Sequence, residues 1–196
     1  MDETARLSTS RGWQGTTTRD IAAAADIATG TLFNYFSTKE DIAAALMDAA
    51  IEAGAREFLS RRRGDEPLEE DLFRFIWTAL RQMQAYKSFL GDAIRDVFNP
   101  LARSVGEEGG QKIRKAHLEL LRQVLADHGR PWLSPVSLQI YWALFLGILA
   151  HWSADESPHQ EDTMALLDQS TRVFVASITH DASAGKQSPT AKEGRP

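Results

Sequence analysis

The chain has 196 residues, 43% of them hydrophobic and 25% charged, which is ordinary for a globular protein and long enough for one or two domains with a good core. It contains no cysteine, so disulfides and thiolate metal sites are excluded. Its net charge of −5 argues against an extended basic surface for nucleic acid.

Glu3 to Ser8, ahead of Gly12-Trp13, predicts a short and poorly apolar first helix. Thr17 is placed to cap a second helix, with Asp20 three residues on in a capping-box pattern, and Ile21, Ala22 and Ala25 recur on one face. Asp26 sits where the chain must turn, since Asp tolerates left-handed backbone angles. Ile27 is expected to plug that corner and Thr29 to cap the next helix. There Leu32, Phe33 and Phe36 lie at core spacing, leaving Thr31, Asn34 and Tyr35 outward. Ser37 or Thr38 caps a further helix whose first turn holds Lys39, a cation that opposes the helix dipole and is better used on a phosphate. Two short helices about a tight turn make a helix-turn-helix, a device for laying one helix in the DNA major groove.

From Lys39 the pattern stays helical to about Leu59, and Arg61-Arg62-Arg63-Gly64 reads as cations before a glycine stop. Gly64 to Pro67 marks a break. Helices are then predicted over Leu68–Tyr86, Ser88–Phe98 (closed by Asn99-Pro100), Lys112–His128, Ser134–Ala154 and His159–Ile178, with a loop or helix break at Gly106 to Gly110. Ser134-Pro135 is a cap followed by Pro at the first helical position. The helix it opens is apolar nearly all round and must be buried on most sides. Its most apolar run, Tyr141 to Ala150, is about ten residues, short of the roughly 20 that span a bilayer. Ala143, Gly147 and Ala150 form a small-residue row, and Leu167 and Phe174 stripe the last helix; together they predict a four-helix dimer seam. The tail from Asp181 is rich in Ser, Gly, Pro and Lys and predicts disorder.

Gly12-Trp13, Thr17, Arg19-Asp20-Ile21-Ala22, Gly30-Thr31-Leu32, Tyr35-Phe36 and Lys39 together resemble the DNA-binding domain of the tetracycline-repressor (TetR) family. Where that family usually has Gly at the turn, Tyr, a Ser-Lys pair and an earlier Phe, this chain has Asp26, Phe33, Ala28-Thr29 and Ser8. The basic arm that often precedes the first helix is absent, and a start upstream of Met1 is the favoured explanation. The resemblance implies an all-α fold, with a three-helix helix-turn-helix head at residues 1–47 and a helical ligand-binding and dimerisation domain at 48–180. Residues 181–196 form the tail.

Carried over by position, the resemblance makes Thr29, Thr31, Asn34 and Tyr35 candidates for groove or backbone contact, and Thr17 and Lys39 candidates for phosphate contact. It implies a cytoplasmic homodimeric regulator, a repressor, on a pseudo-palindromic double-stranded DNA operator, released by a small-molecule effector. Phe73, Trp77, Met83, Phe89, His117 and Trp142 are the candidate effector pocket. No catalytic, metal-ligand or phosphate-loop pattern stands out, so neither enzyme activity, cofactor nor membrane partner is expected. The alternative is a helical small-ligand-binding or scaffold protein with a weakened or truncated DNA-binding head, motivated by the weak first helix and the acid-rich head.

Overall fold

The computed structural model describes residues 2–97 and 106–184. Among the described residues nine α-helices run in order: α1 (Asp2–Arg11), α2 (Thr18–Ala24), α3 (Thr29–Phe33), α4 (Lys39–Arg61), α5 (Leu68–Gln82), α6 (Lys87–Val97), α7 (Gly106–Asp127), α8 (Pro135–Ala154) and α9 (Glu161–Ala184). Single 3-10 turns at Gln84–Tyr86 and Pro158–Gln160 precede α6 and α9. There is no strand among the described residues, so the fold is all-α as expected.

Helix α4 carries the architecture. Its N-terminus is fixed by a capping box in which the Thr38 hydroxyl accepts from Asp41 N (3.1 Å) and the Asp41 carboxylate accepts from Thr38 N (2.9 Å). Ile42, Leu46, Met47, Ile51 and Phe58 are all buried along it. The expected division at residue 47 therefore falls inside one continuous helix that head and body share. Against it lies α5, with Leu72, Phe75, Ile76, Ala79 and Leu80 buried. Gly54 allows the close crossing: a Cβ there would lie 2.6 Å from Ala79 Cα and 2.7 Å from Ala79 N.

At the far end of α4, Arg62 joins three helices. Its Nε donates to Asp71 Oδ2 on α5 (2.7 Å) and its guanidinium also meets Asp127 at the end of α7. His128 Nε2 shares the same Asp71 oxygen at 2.8 Å. Burial works against the Arg62 charge, but the bonds from Asp127 and Asp71 outweigh it and leave the pKa raised. The basic run that reads as cations before a glycine stop is thus partly a buried tie.

The first helix is longer than its apolar content suggests. It runs to Arg11, buries Thr4, Leu7 and Ser8, and packs beside α6. Trp13 follows, 1% exposed and stacked on Phe89 with ring centroids 5.1 Å apart. This contact seats the head on the body.

Three expectations for the body change. Gly106 to Gly110 opens α7 rather than forming a loop. Helix α9 continues to Ala184, so residues 181–184 of the expected tail are helical, whereas the rest of it, like Asn99-Pro100, lies outside the described residues. Helix α8, with 20 residues, is by length and composition apolar enough to cross a bilayer, against the ten-residue measure taken from its densest run. Tyr141, Trp142, Phe145, Ile148, Leu149 and Trp152 nevertheless pack one side of it into the protein core. Ser134 does cap it, accepting from Ser137 N at 3.0 Å.

Asp155 anchors the corner between α8 and α9. Its carboxylate accepts from Ser157 N (2.8 Å), Thr163 N (3.0 Å) and the Thr163 hydroxyl. The Ser157 and Thr163 donors hold the Asp155 carboxyl well below the ordinary carboxylate range. With a depressed folded-state pKa, this stabilisation is complete above the unfolded value of about 3.9 and is lost as pH falls through the folded value. Asp155→Asn should therefore melt below wild type at pH 7, with the difference narrowing under about pH 4. A gap that stays constant from pH 7 to pH 3 in thermal melts would contradict the assignment.

Candidate nucleic-acid interface

The head is built from short-range chemistry. Thr17 Oγ1 accepts from Asp20 N at 3.2 Å, while Asp20 Oδ2 accepts from Thr17 N at 2.9 Å and from the Thr17 hydroxyl at 2.6 Å. These Thr17 bonds, aided by Arg11 at 3.4 Å, lower the Asp20 pKa. The Thr17 hydroxyl is therefore occupied on both sides, and what it leaves for a phosphate is the backbone amides of the first turn of α2.

Asp26 takes φ 52, the left-handed turn that its residue type permits. Ile27 N then bonds Ala22 O at 3.0 Å, closing the corner. Ile27 itself does not plug it: the side chain is 40% exposed. Nor does Thr29 cap α3; Ala28 occupies that position without a side-chain bond, and half-buried Thr29 is the first helical residue.

Helix α3 has only five residues and is held by buried Leu32, with Phe36 packed against the core beyond its end. The outer side of the helix and of the turn that ends it presents Thr31, Phe33, Asn34 and Tyr35, the last 77% exposed. Phe33 at 45% exposure corrects its placement in the core, because one turn and a half of helix has room to bury a single apolar row. The face combines an amide that can read adenine, two hydroxyls, and an aromatic edge of the kind that meets a thymine methyl. Phe33 is thus a functional candidate missed in the sequence, where its spacing matched the core.

Lys39 is drawn inward. Its Nζ donates to Trp13 O at 3.0 Å and lies 5.0 Å from the Trp13 ring centroid. It ties α4 to the loop that seats the head, which accounts for a cation in a first turn. Arg6 pairs with Glu3 at 2.7 Å and Arg11 with Asp20 at 3.4 Å. Arg19, exposed in the first turn of α2, has no ion pair among the described residues. It is the second candidate missed; acidic neighbours at helical spacing do not reveal it, because Arg11 and Lys39 lack them too and find their partners farther along the chain. Arg19→Ala is expected to weaken binding to specific and random DNA alike and to reduce the slope of log K against log salt by about 1 per head. A slope unchanged in salt titrations would remove Arg19 from the interface.

The body separates the expected effector residues into four places. Phe73 and Trp77 lie half-buried side by side on α5, 6.4 Å between centroids. Met83 is buried in the core, and Phe89 belongs to the seat of the head against Trp13. His117 and Trp142 are buried together, with His117 stacked between Phe75 (4.8 Å) and Phe145 (4.1 Å). His117 Nε2 lies 2.9 Å from the Tyr141 hydroxyl, while Nδ1 has no partner among the described residues. Tyr141, on the other side of that bond, lines a narrow crevice of about 10 Å³ between α5, α8 and α9 together with Leu72, Ile76, Phe145 and Phe174. The six aromatic and sulfur residues therefore do not converge on one cavity; composition identified them, but composition carries no direction.

The seam residues divide as well. Ala143, Gly147 and Ala150 are exposed on α8, in line with Val136 and Ile140. Leu167 and Phe174 face inward at 0% and 1% exposure, so they belong to the protomer's own core. The outward stripe of α9 instead carries Leu166 and Val173.

A capped α2, a left-handed turn and a short α3 with an exposed polar and aromatic face define a helix-turn-helix head on an all-helical body. Residues 1–46 match the family model of bacterial regulatory proteins, tetR family. The head thus resembles that family, and over most of its length the chain has the fold of solved regulators of the same type. A TetR transcriptional regulator from Rhodococcus sp. RHA1 shares 16% identity, with 88% of this chain and 91% of that one covered and a TM-score of 0.65. The fatty acid degradation regulator FadR from Bacillus halodurans shares 17%, covering 88% and 94%, at a TM-score of 0.61. FadR from Bacillus subtilis, in complex with stearoyl-CoA, shares 17%, covering 89% and 95%, also at 0.61. A comparison with curated proteins finds no match.

Proposed function

We propose that the chain is a cytoplasmic, homodimeric repressor that lays α3 in the major groove and is released from its operator by a small-molecule effector bound in the body. The observation that carries this reading is the exposed set Thr31, Asn34 and Tyr35 on α3 and the turn that ends it, with the opposite side anchored by Leu32. Thr29 and the α2 N-terminus at Thr17 flank that set. Lys39 supports it indirectly, by holding Trp13 and hence the head.

Two observations support the dimer. Val136, Ile140, Ala143, Gly147 and Ala150 leave an apolar stripe exposed along α8, and a Cβ at Gly147 would meet nothing within 4 Å of its own chain. A second copy packing there would set two α3 helices one DNA turn apart, roughly 34–36 Å, on a pseudo-palindromic site. The effector then shifts the population towards a spacing that no longer fits. The acyl-CoA complexes of the B. subtilis relative and of FadR from Thermus thermophilus (18% identity, TM-score 0.59) support a fold able to hold small organic molecules.

Asn34→Ala and Tyr35→Ala test the reading. Each should lower operator affinity about tenfold or more while leaving binding to random DNA and the melting temperature close to wild type. Equal affinity of wild type and both variants in gel-shift titrations would count against α3 as the reading helix.

A further inference from the structure

Resting on the reading of this chain as a regulator that lays α3 in the major groove, we propose that Phe33 reads a pyrimidine 5-methyl group, that of thymine or of 5-methylcytosine, in each half-site. Three observations lead there. The first is where apolar side chains are left in water. Among the described residues the large exposed ones form two clusters, apart from Leu59. Trp132, Val136, Ile140, Leu166 and Val173 lie on α8, on α9 and just ahead of α8, the side that the dimer reading covers. Ile27, Phe33 and Tyr35, at 40%, 45% and 77% exposure, fall together in the turn before α3, on α3 and just past its end. Single exposed apolar residues are ordinary on a protein surface. Three on one small reading face ask for a partner with apolar surface of its own.

The second is the shortage of charge around that face. Lys39 donates to Trp13 O, Arg6 pairs with Glu3 and Arg11 with Asp20, and the Thr17 hydroxyl is held by Asp20. With these groups turned to the head's own structure, phosphate contacts supply less of the affinity and base contacts must supply more. The third is what a duplex offers. Base edges in the major groove carry donors and acceptors, and the apolar group among them is the 5-methyl of thymine. Cytosine methylated at C5 presents the same group in the same place. Unmethylated cytosine leaves that place empty, and the Phe33 ring loses its contact. Asn34, next in the chain, supplies the polar half of the reading through N6 and N7 of an adenine. Methylation of a cytosine at the Phe33 position is therefore felt by the head much as thymine is.

Competition gel shifts with the full chain test this, using as probe the duplex that wild type enriches from random DNA. Replacing each thymine in turn by deoxyuridine removes the methyl and keeps the base pairing. At one thymine per half-site this should weaken wild-type binding about fourfold, the value of one buried methyl, and about tenfold or more when both half-sites are changed. Phe33→Ala should bind the thymine duplex more weakly and show no further loss with deoxyuridine. Phe33→Leu, still apolar, should keep a loss. Exchanging that A·T pair for G·C or for G·5-methylcytosine separates the two sources of the methyl. Affinity retained with 5-methylcytosine but not with cytosine extends the reading to either base, and equal loss with both assigns it to thymine. Wild type indifferent to deoxyuridine at every position, or a deoxyuridine loss of the same size in Phe33→Ala, would overturn the proposal and leave the regulator standing, because the probe is still bound. Wild type that enriches no duplex would refute both.

Discussion

Arg62→Met is expected to destabilise the protein by about 3–5 kcal/mol, the cost of leaving a buried carboxylate without its cation. Asp71 is fully buried, and its Oδ2 is held by Arg62 at 2.7 Å and His128 at 2.8 Å. Its Oδ1 has no partner among the described residues. Without the guanidinium, His128 alone faces the charge, and the end of α4 loses its tie to α5 and α7. For a chain of this size the loss corresponds to a drop in melting temperature on the order of 10 °C. Combining Arg62→Met with Asp71→Leu removes both charges and should recover most of the loss, since an apolar pair avoids the desolvation penalty. Thermal melts of wild type, both single variants and the double variant close the cycle. A single-variant cost below about 1 kcal/mol would mean that water reaches the cluster.

Gly54→Ala should destabilise by roughly 2 kcal/mol, although alanine is the better helix former by about 1 kcal/mol. The added methyl meets Ala79 Cα at 2.6 Å, Ala79 N at 2.7 Å and Thr78 C at 2.9 Å, all backbone atoms that no rotamer change can move. Helices α4 and α5 must separate, loosening Ile51, Phe58, Phe75 and Ile76 together. Gly54→Leu should fail to fold. Urea unfolding reads the difference directly, and an alanine variant as stable as wild type would show that the two helices cross less closely than described here.

Local chemistry was the legible part of this chain. Thr17, Thr38 and Ser134 cap the helices expected of them, and Asp26 takes the left-handed turn, because each depends on atoms within a few residues. Long-range partners were not legible. Lys39 meets Trp13 across 26 positions, and Arg62 meets Asp127 across 65, so periodicity gave no hint of either. Phe33 misled because a five-residue helix is too short to show which apolar row is buried. On α9 two apolar stripes alternate, Leu167 and Phe174 inward and Leu166 and Val173 outward. Spacing alone does not say which faces the protomer's own core. His117 and Tyr141 likewise pair across 24 positions on two different helices, which spacing does not reveal.

The head pairs most of its cations internally, so the regulator reading asks for specificity from base contacts by α3 rather than from a basic footprint. Selection of binding sites from random double-stranded DNA tests this most directly. Wild type should enrich a pseudo-palindrome with half-sites about 10–10.5 base pairs apart, and the combined Asn34→Ala and Tyr35→Ala variant should not. Failure of wild type to enrich any palindrome, or enrichment of the same site by the variant, would contradict the account.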